Sequence, residues 1–294
     1  NYSFLPTIYS GGYILLSDNF MSISKRFWTI VNDFKINYLQ IVPTIAITLI
    51  SSKYEEEEIN SNITLDYVGC GSAPLSIETQ KNFQNKFKIP IANLYGLCET
   101  GPSHFDDPRD DEWRPGSIGI PIFDYECKIV NKEFEEQPNN VIGEFAIKGR
   151  NLFIGYLNNK KADRDAFRAG FFLTGDLGFK DSNGKYYFND RKKDLIIKAG
   201  VNIAPGEIEE VIFKIDGVSS VAVIGVPDKL FGEEIIAFVE KNDDSLTSEK
   251  IILVLKKTLQ TMKIPKKIIF IEELPQGPTG KILKRKLVGL YSNY

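Results

Sequence analysis

A lysine stands among glycine and proline near the end of the chain, in the stretch PQGPTGKILKRKL that contains Lys281. The nucleotide-binding P-loop, G-x-x-x-x-G-K-[ST], also has a lysine after a glycine. Here Pro275 stands where that motif has its first glycine, and Ile282 follows the lysine in place of Ser or Thr. The sequence therefore excludes a P-loop. Taken alone, the stretch is typical of a tight turn with a solvated lysine, since Gly, Pro and Thr are ordinary turn residues.

Two further glycine-bearing turns, GCGSAPLS and YGLCETGPS, each follow a predicted strand. In open α/β sheets, ligands bind outside the carboxyl ends of the strands, so we expect both turns to open onto one crevice. Glycines let the backbone approach a ligand closely. Tyr95 offers a flat ring for a base, and Glu99 offers a hard oxygen for Mg²⁺. Either turn alone is an ordinary connection, but the two together indicate a nucleotide site.

Two charged residues extend this pattern further along the chain. The stretch FFLTGDLGF places Asp176 after a predicted tight Thr-Gly turn, where its carboxylate could accept hydrogen bonds from ribose hydroxyls. The alternative is a turn aspartate that caps its own backbone. The stretch DRKKDLIIKAGVNIAPGEIE adds Arg191 and a charged segment typical of a hinge.

The elements around these residues fall into three regions. Residues 1–113 alternate strand and helix, including helices over 23–34 and after an N-cap at Ser76, which predicts a doubly wound parallel sheet. Residues 114–190 have short strands between turn signals, which predicts a small antiparallel or barrel-like unit. From residue 194 onward, a helix that starts at Pro205, a helix over 248–262 and several strands predict a separate small α+β domain. We therefore expect a large domain over 1–190, a hinge over 191–193 and a small mobile domain over 194–294.

Composition narrows the possible partners. The net charge of the 294 residues is −3, so no whole-chain field favours nucleic acid, and no apolar run is long enough to span a membrane. Cys70, Cys98 and Cys127 lie far apart without a C-x-x-C pair, which favours a reducing cytoplasm. His104 is the only histidine, which argues against a multi-His metal site. Its neighbour Ser103 is a poor candidate nucleophile, because adjacent side chains usually point apart.

Four motifs occur in a fixed order: YGLCETGP, TGDLG, DRKKDLIIKAGVNIAPGEIEEV and PTGKILKRKL. In the order of these motifs the chain resembles the adenylate-forming superfamily, which is also described as the AMP-dependent synthetases and ligases. The superfamily includes acyl- and aryl-CoA synthetases, luciferases and peptide-synthetase adenylation domains. The resemblance covers essentially the whole chain. It implies that a carboxylic acid reacts with ATP and Mg²⁺ to give an acyl-AMP and pyrophosphate. The acyl group then moves to a thiol, usually that of CoA or of a carrier-protein phosphopantetheine.

The resemblance also implies a role for each matching position. Tyr95 would stack on adenine, with Gly71, Ser72 and Ala73 lining the same pocket. In the second motif Gly96 and Cys98 would belong to the nucleotide site, and Glu99 would bind Mg²⁺. Asp176 and Arg191 would hold the ribose, Lys193 would be the hinge, and Gly200 would lie where the pantetheine arm enters. Lys281 would be the catalytic lysine that bridges the acid carboxylate and the α-phosphate, on a mobile loop that we expect to be exposed.

The sequence departs from the family pattern at several points. Cys98 stands where the family has a phosphate-contacting threonine, and Asp190 stands where it usually has a glycine. The Gly/Ser/Thr-rich phosphate loop of the family does not occur in this sequence, and about half of the large domain would lie upstream of it. We therefore expect the chain to be the C-terminal portion of a longer synthetase, and its isolated activity is in doubt.

The favoured function is that of an acid–CoA ligase that uses ATP and Mg²⁺, with CoA as co-substrate. An acid–carrier-protein ligase, whose thiol belongs to a protein partner, is the closest alternative. A nucleotide-binding module without catalysis is the third; Cys98 and the missing phosphate loop favour it, whereas Lys281 argues against it. The sequence does not identify the carboxylic acid that is activated, because most of the acyl pocket would lie upstream of this chain.

The thiol at position 98 generates a first prediction. In the whole protein, Cys98→Thr should preserve or raise the rate of acyl-AMP formation, because it restores a hydroxyl where the family contacts phosphate, and a hydroxyl forms stronger hydrogen bonds than a thiol. The rate of acid-dependent ATP–pyrophosphate exchange measures this. A thousandfold loss with an unchanged melting curve would show that the thiol has a role of its own.

Overall fold

A computed structural model describes residues 3–17, 19–54, 59, 63–277 and 281–291. The charged stretch YEEEEINSN, residues 54–62, is typical of a surface loop and lies outside these ranges at 55–58 and 60–62. The Pro-Thr-Gly part of the lysine loop, residues 278–280, lies outside them too. None of the helices in the described ranges has the length and apolar character that a membrane crossing requires.

The described helices and strands are numbered here in chain order. The α-helices are α1 (Phe4–Tyr9), α2 (Phe20–Ile23), α3 (Phe27–Asp33), α4 (Pro43–Ser51), α5 (Ile77–Phe87), α6 (Lys160–Ala166), α7 (Pro205–Phe213), α8 (Ser248–Thr258) and α9 (Lys284–Tyr291). Short 3₁₀ helices cover Ser24–Arg26, Lys192–Asp194 and Thr261–Lys263. The strands are β1 (Gln40–Ile41), β2 (Val68–Cys70), β3 (Ile91–Leu97), β4 (Gly101–Phe105), β5 (Ile120–Pro121), β6 (Glu126–Val130), β7 (Gly143–Lys148), β8 (Phe167–Arg168), β9 (Phe171–Lys180), β10 (Tyr186–Arg191), β11 (Ile196–Lys198), β12 (Val201–Ile203), β13 (Val218–Asp228), β14 (Gly232–Lys241) and β15 (Lys267–Phe270).

The first sheet has the order β1-β2-β3-β4-β5. Strands β1, β2 and β3 are parallel, which confirms the prediction for this part, and α4 and α5 lie between them in the chain. Strand β4 pairs antiparallel with both β3 and β5, so the prediction of a parallel sheet over residues 1–113 is wrong at β4. The reason is the connection, because only a few residues separate β3 from β4, and parallel neighbours need a crossover of a dozen residues or more.

Helix α5 shows how local sequence fixes an element in this part of the chain. The Ser76 side chain accepts a hydrogen bond from the backbone N–H of Thr79, which confirms the predicted N-cap. Lys88, with a φ of 58°, ends the helix in the left-handed region. On the inner face, Phe83 and Phe87 pack against the fully buried Trp28, with ring centroids 6.5 and 4.7 Å from it. These aromatic contacts anchor α5 to α3, the helix that carries Trp28.

The second sheet has the order β10-β9-β7-β6, and β8 pairs with β9. These strands confirm the predicted change to short strands after residue 113, whereas the barrel-like closure stays a prediction. One local prediction is wrong: Thr174 and Gly175 form no turn, because β9 runs from Phe171 to Lys180 without a break. The strand accommodates the left-handed φ of 72° at Gly175, which glycine adopts without steric cost.

The third sheet has the order β12-β11-β14-β13, with β15 parallel to β14. Helix α7 begins at Pro205, as predicted, and Ile208 and Ile212 on its inner face are fully buried. Helix α8 is shorter than predicted, since it ends at Thr258. Leu259 has extended dihedral angles, φ −116° and ψ 156°, which stop the helix four residues before the predicted end at 262.

The chain divides into two compact units. The first comprises Asn1–Lys128, Ala146–Thr174 and Lys180–Tyr187, and the second comprises Ile129–Phe145, Gly175–Phe179 and Phe188–Tyr294. The sequence-based boundary, with a hinge over 191–193, stays a prediction.

Lys86 generates a stability prediction for the first unit. Its ammonium donates to the carbonyls of Leu49 and Ile50, at 3.3 and 2.6 Å, and to that of Ser52, so it caps the carboxyl end of α4. Because hydrogen bonds to charged groups contribute more than neutral ones, Lys86→Met should lower the free energy of unfolding by about 1–2 kcal/mol. The exposed Lys81 lies on the same helix, and Lys81→Met is the matched control. Urea unfolding followed by circular dichroism measures both; equal effects would contradict the capping role.

Candidate functional site

The turn after β2 lies directly against β3. Gly71 donates its backbone N–H to the carbonyl of Ile41 at 3.2 Å, and a Cβ on Gly71 would lie 3.0 Å from the carbonyl oxygen of Leu94. Glycine is therefore what permits this close approach. Ser72 follows with a left-handed φ of 71° and is exposed, and Ala73 is half-buried. The two predicted turns thus lie side by side, as the strand order requires.

The end of β3 holds the second turn. A Cβ on Gly96 would collide with the carbonyl oxygen of Gly101, so only glycine fits there. The hydroxyl of Thr100 accepts the backbone N–H of Leu97 at 2.9 Å and closes the turn. The Tyr95 ring is largely buried, at 9% exposure, and meets the His104 ring edge-on at 5.5 Å. Its stacking on adenine stays a prediction.

Ser103 and His104 are in contact, contrary to expectation. The Ser103 hydroxyl and the His104 Nδ1 are 3.0 Å apart, so these adjacent side chains do not point away from each other. Both residues are almost completely buried, and burial lowers the pKa of His104 to about 3. A buried neutral imidazole has no route to a substrate, which agrees with a packing role.

Glu99 is held by a tyrosine that sequence reasoning missed. Its Oε1 accepts a hydrogen bond from the Tyr156 hydroxyl at 3.0 Å, and its backbone carbonyl accepts the N–H of Phe153 at 2.8 Å. Burial, and then the hydrogen bond to Glu99, raise the pKa of Tyr156 to about 12. Beside Glu99, Cys98 exposes a free thiol. No sequence signal connects Tyr156 with Glu99, because 57 residues separate them.

Glu99 meets the requirements of magnesium only in part. Among the residues that the structure describes, no group of three or more His, Cys, Asp or Glu side chains could hold a metal ion. Mg²⁺ is nevertheless commonly bound by one or two carboxylates together with substrate phosphates and water. A single glutamate therefore fits a cation that arrives with a triphosphate, and does not fit a cage made only of protein ligands.

In the second unit, the predicted ribose pair is in contact. Arg191 Nε lies 3.1 Å from Asp176 Oδ1, and the Asp176 side chain is 2% exposed. Glu144 holds strand β9 directly before Asp176. It accepts the backbone N–H of Gly175 at 2.9 Å and pairs with Lys192 at 2.8 Å. The carboxylate of Asp176 is thus desolvated and paired with the guanidinium of Arg191.

Lys281 lies near this pair and is half-buried, so the expectation of an exposed lysine is wrong. Burial lowers the pKa of Lys281, and the positive charges of Arg191 and Lys193 lower it further. Asp194 and Asp176 act in the opposite direction. The lysine therefore belongs to the same cluster of charges as Asp176 and Arg191.

Backbone contacts on both sides fix the Lys281 loop. Gly277 donates its N–H to the carbonyl of Lys281 at 2.8 Å, and Leu283 donates to Pro275 at 2.7 Å. These bonds accompany a β-bridge between Gln276 and Ile282. Lys281 is therefore presented at the end of a short paired ladder, which explains how a Gly/Pro-rich stretch places an ammonium at a defined position.

Asp190, a departure from the family pattern, has a structural role here. Its Oδ1 accepts the N–H of Arg191 at 2.7 Å, and its Oδ2 accepts the N–H of Gly206 at 2.8 Å. Gly206 lies in the first turn of α7, whose own N-cap residue, Ala204, has no side-chain acceptor. Asp190 thus caps α7 from outside the helix.

The predicted hinge and pantetheine positions are both on the surface. Lys193 is exposed in the 3₁₀ helix Lys192–Asp194. Gly200 and Ala199 connect β11 to β12 with left-handed φ angles of 81° and 50°, as in a two-residue hairpin of type I′. Among the described residues, and apart from the two chain neighbours of Gly200, no heavy atom lies within 4 Å of where a Cβ on Gly200 would be. The backbone at Gly200 is therefore open to a neighbouring molecule.

Comparison with known families identifies the family to which this chain belongs. A family model described as AMP-binding enzyme matches residues 1–157, and one described as AMP-binding enzyme C-terminal domain matches residues 207–281. The chain belongs to the AMP-binding enzyme family. The acyl-CoA ligase type of the adenylate-forming superfamily, predicted from the motifs, is thereby confirmed.

Several relatives in the AMP-binding enzyme family show how much of the chain is shared. Sulfoacetate–CoA ligase of Cupriavidus necator is 32% identical over 281 residues, which are 95% of this chain and 54% of that protein. A long-chain-fatty-acid–CoA ligase of Escherichia coli is 38% identical over 193 residues, 66% of this chain and 34% of its own. The crystal structure of ATP-bound MatB from Rhodopseudomonas palustris superposes with a TM-score of 0.84 at 31% identity, over 91% of this chain and 53% of that one. The chain spans about half the length of the relatives that it matches over most of its own length.

The charge cluster around Lys281 generates a prediction about its pKa. Arg191→Gln should raise the pKa of Lys281, because the change removes a positive charge that repels its ammonium. The pH dependence of Lys281 acetylation by acetic anhydride, followed by mass spectrometry, measures this shift. Lys192→Gln is the matched control, since Lys192 pairs with Glu144 instead, and it should leave the midpoint nearly unchanged. A downward shift in Arg191→Gln would contradict the proximity of the two cations.

Proposed function

We propose that the whole protein is an acid–CoA ligase that activates a carboxylic acid with ATP through an acyl-AMP. The main support is the cluster that Lys281 forms with the Asp176–Arg191 pair. A fixed cluster of two cations and one buried carboxylate offers ligands for both a phosphate and sugar hydroxyls. Such a cluster has no obvious use in a packing role.

We propose that charged side chains bind the ribose of the nucleotide, whereas backbone and aromatic groups bind its adenine. Asp176 accepts hydrogen bonds from the ribose hydroxyls, with Arg191 fixing its orientation. The Gly71–Ala73 turn, Tyr95 and Gly96 contact the adenine, and Cys98 lies toward the phosphates. The support is local: the glycines leave backbone approachable, and Ser72 and Cys98 are exposed.

Glu99 is the proposed magnesium ligand. A magnesium ion bound with ATP would neutralise charge on the phosphate oxygens. The contribution of this chain is to hold one carboxylate ready, and the hydrogen bond from Tyr156 fixes one of its oxygens.

In the proposed first half-reaction, a carboxylate oxygen of the acid attacks the α-phosphorus and pyrophosphate leaves. Negative charge gathers where the two anions meet, and the Lys281 ammonium neutralises it. This role requires the protonated lysine. As the pH rises through the pKa of Lys281, the lysine loses its proton and the adenylation rate should fall. Because that pKa is lowered, we expect this fall at a lower pH than an ordinary lysine would give.

In the proposed second half-reaction, a thiol sulfur attacks the acyl carbon and AMP leaves. We propose that the small domain turns about Lys193, so that the hairpin at Gly200 faces the thiol while Lys281 is withdrawn. An absent side chain and an open backbone at Gly200 support this assignment. CoA is the proposed acceptor because the relatives named above are CoA ligases.

The division of labour between the half-reactions is testable in the whole protein. Lys281→Ala should remove about 3–4 kcal/mol of transition-state stabilisation from adenylation, by analogy with the loss of one oxyanion donor. That corresponds to a loss of roughly a hundredfold to a thousandfold in rate. Thioester formation from supplied acyl-AMP should be largely spared. Acid-dependent ATP–pyrophosphate exchange and thioester release measure the two steps.

The matched control is Lys286→Ala, which removes an exposed lysine from α9 and should affect neither step. The thioester assay uses CoA in one arm and a phosphopantetheine-loaded carrier protein in the other, which separates the two classes of acceptor. Equal losses in both half-reactions of Lys281→Ala would refute the rotating-domain assignment, and no loss in either would make Lys281 a structural lysine.

A further inference from the structure

We propose that Tyr156 is a positioning residue for Glu99: it engages one carboxylate oxygen and leaves the other free to bind a divalent cation that arrives with ATP. This inference rests on the proposed function, because it gives Glu99 the cation-binding role. It adds a residue that lies outside the four motifs and that no sequence pattern pairs with Glu99.

The side-chain contact defines what Tyr156 does. Its hydroxyl donates to Glu99 Oε1 at 3.0 Å. A carboxylate can only accept hydrogen bonds, so the phenol is the donor in this contact. A donor on one oxygen restricts the torsions of the glutamate side chain, which would otherwise lose rotamer entropy on binding a ligand.

A backbone contact from the same segment reinforces this restraint. Three residues before Tyr156, Phe153 donates its N–H to the Glu99 carbonyl at 2.8 Å. Residues 153–156 therefore hold the turn that carries Glu99 at two points, one on the main chain and one on the side chain. Two points fix the position of the glutamate as well as its orientation.

The segment that holds Glu99 is itself well anchored. Asp163 accepts the backbone N–H of Tyr156 at 2.7 Å. Gly155 has a φ of 143°, and a Cβ there would lie 3.0 Å from the Asp163 carboxylate, so the turn requires glycine. The Phe153 ring packs on the rings of Tyr156 and Phe172, with centroids 4.7 and 5.2 Å away. Tyr156 thus presents its hydroxyl from a fixed position.

Glu99 would be the single protein carboxylate on the cation, and this explains why its positioning by Tyr156 would matter. Within the described part of the chain, no cluster of acidic, histidine or cysteine side chains supplies a second protein ligand set. The cation affinity contributed by the protein then depends on how well Glu99 is preorganised. Removing residues that orient metal ligands typically weakens metal binding about 10- to 100-fold.

The test measures cation binding by the 294-residue chain and needs no turnover. The chain is titrated into a fixed concentration of Mn²⁺·ATP, and the enhancement of the water-proton relaxation rate reports the Mn²⁺ that is bound to the protein. Tyr156→Phe should weaken Mn²⁺ binding about tenfold, with an unchanged melting curve. Tyr187→Phe is the matched control, because it removes another phenol-to-carboxylate hydrogen bond, 3.3 Å to Asp181, and should leave Mn²⁺ binding unchanged.

A double-mutant cycle with Glu99→Gln separates positioning from a general structural effect. In the Glu99→Gln background, Tyr156→Phe should have no further effect, because the phenol acts only through that carboxylate. An undiminished affinity in Tyr156→Phe, or the same loss in both backgrounds, would overturn the positioning role while leaving the proposed function intact. Equal Mn²⁺ binding by the unaltered chain and by Glu99→Gln would remove the proposed cation role of Glu99, and the inference would fall with it.

Discussion

The buried carboxylate of Asp176 is the charge on which the candidate site of the second unit depends, because Arg191 and Lys281 would repel each other without it. Arg191 pairs with Asp176 at 3.1 Å, whereas Lys281 feels both the attraction of Asp176 and the repulsion of Arg191. Like charges held close together in a partly desolvated place are unfavourable unless an anion joins them. The arrangement is therefore suited to an anionic ligand, and a phosphate between the two cations would satisfy it.

Carboxylates also fix the elements that bring these charges together. Glu144 holds the backbone of Gly175, directly before Asp176 in the chain. Asp190 caps α7 and accepts the N–H of Arg191, the residue after it. Glu209 on α7 pairs at 2.7 Å with Lys284, which begins the helix after the Lys281 loop. The first unit follows the same logic, because the turn with its single proposed cation ligand is tied to a tyrosine and to a backbone amide.

Local signals in the sequence were sufficient for much of the fold, whereas the roles of the candidate residues, which the four motifs imply, stay predictions. The cap at Ser76, the helix start at Pro205 and the strand–helix alternation up to β3 depend on neighbouring residues, and the structure has them. The partners of the site residues depend on contacts between distant segments. Tyr156 beside Glu99 and Asp190 at α7 are such contacts, and periodicity carries no information about them. The prediction of a Thr-Gly turn before Asp176 was wrong, because a glycine with a left-handed φ fits inside a strand as well as in a turn.

The central claim is that Lys281 and the Asp176–Arg191 pair belong to one nucleotide-binding cluster. Periodate-oxidised AMP tests it directly, because its dialdehyde replaces the ribose hydroxyls and forms a Schiff base with a lysine close to the ribose. After borohydride reduction and peptide mapping of the 294-residue chain, we expect Lys281 to carry the label and excess ATP to prevent labelling. Labelling spread over exposed lysines such as Lys81 and Lys286, with no protection by ATP, would contradict it.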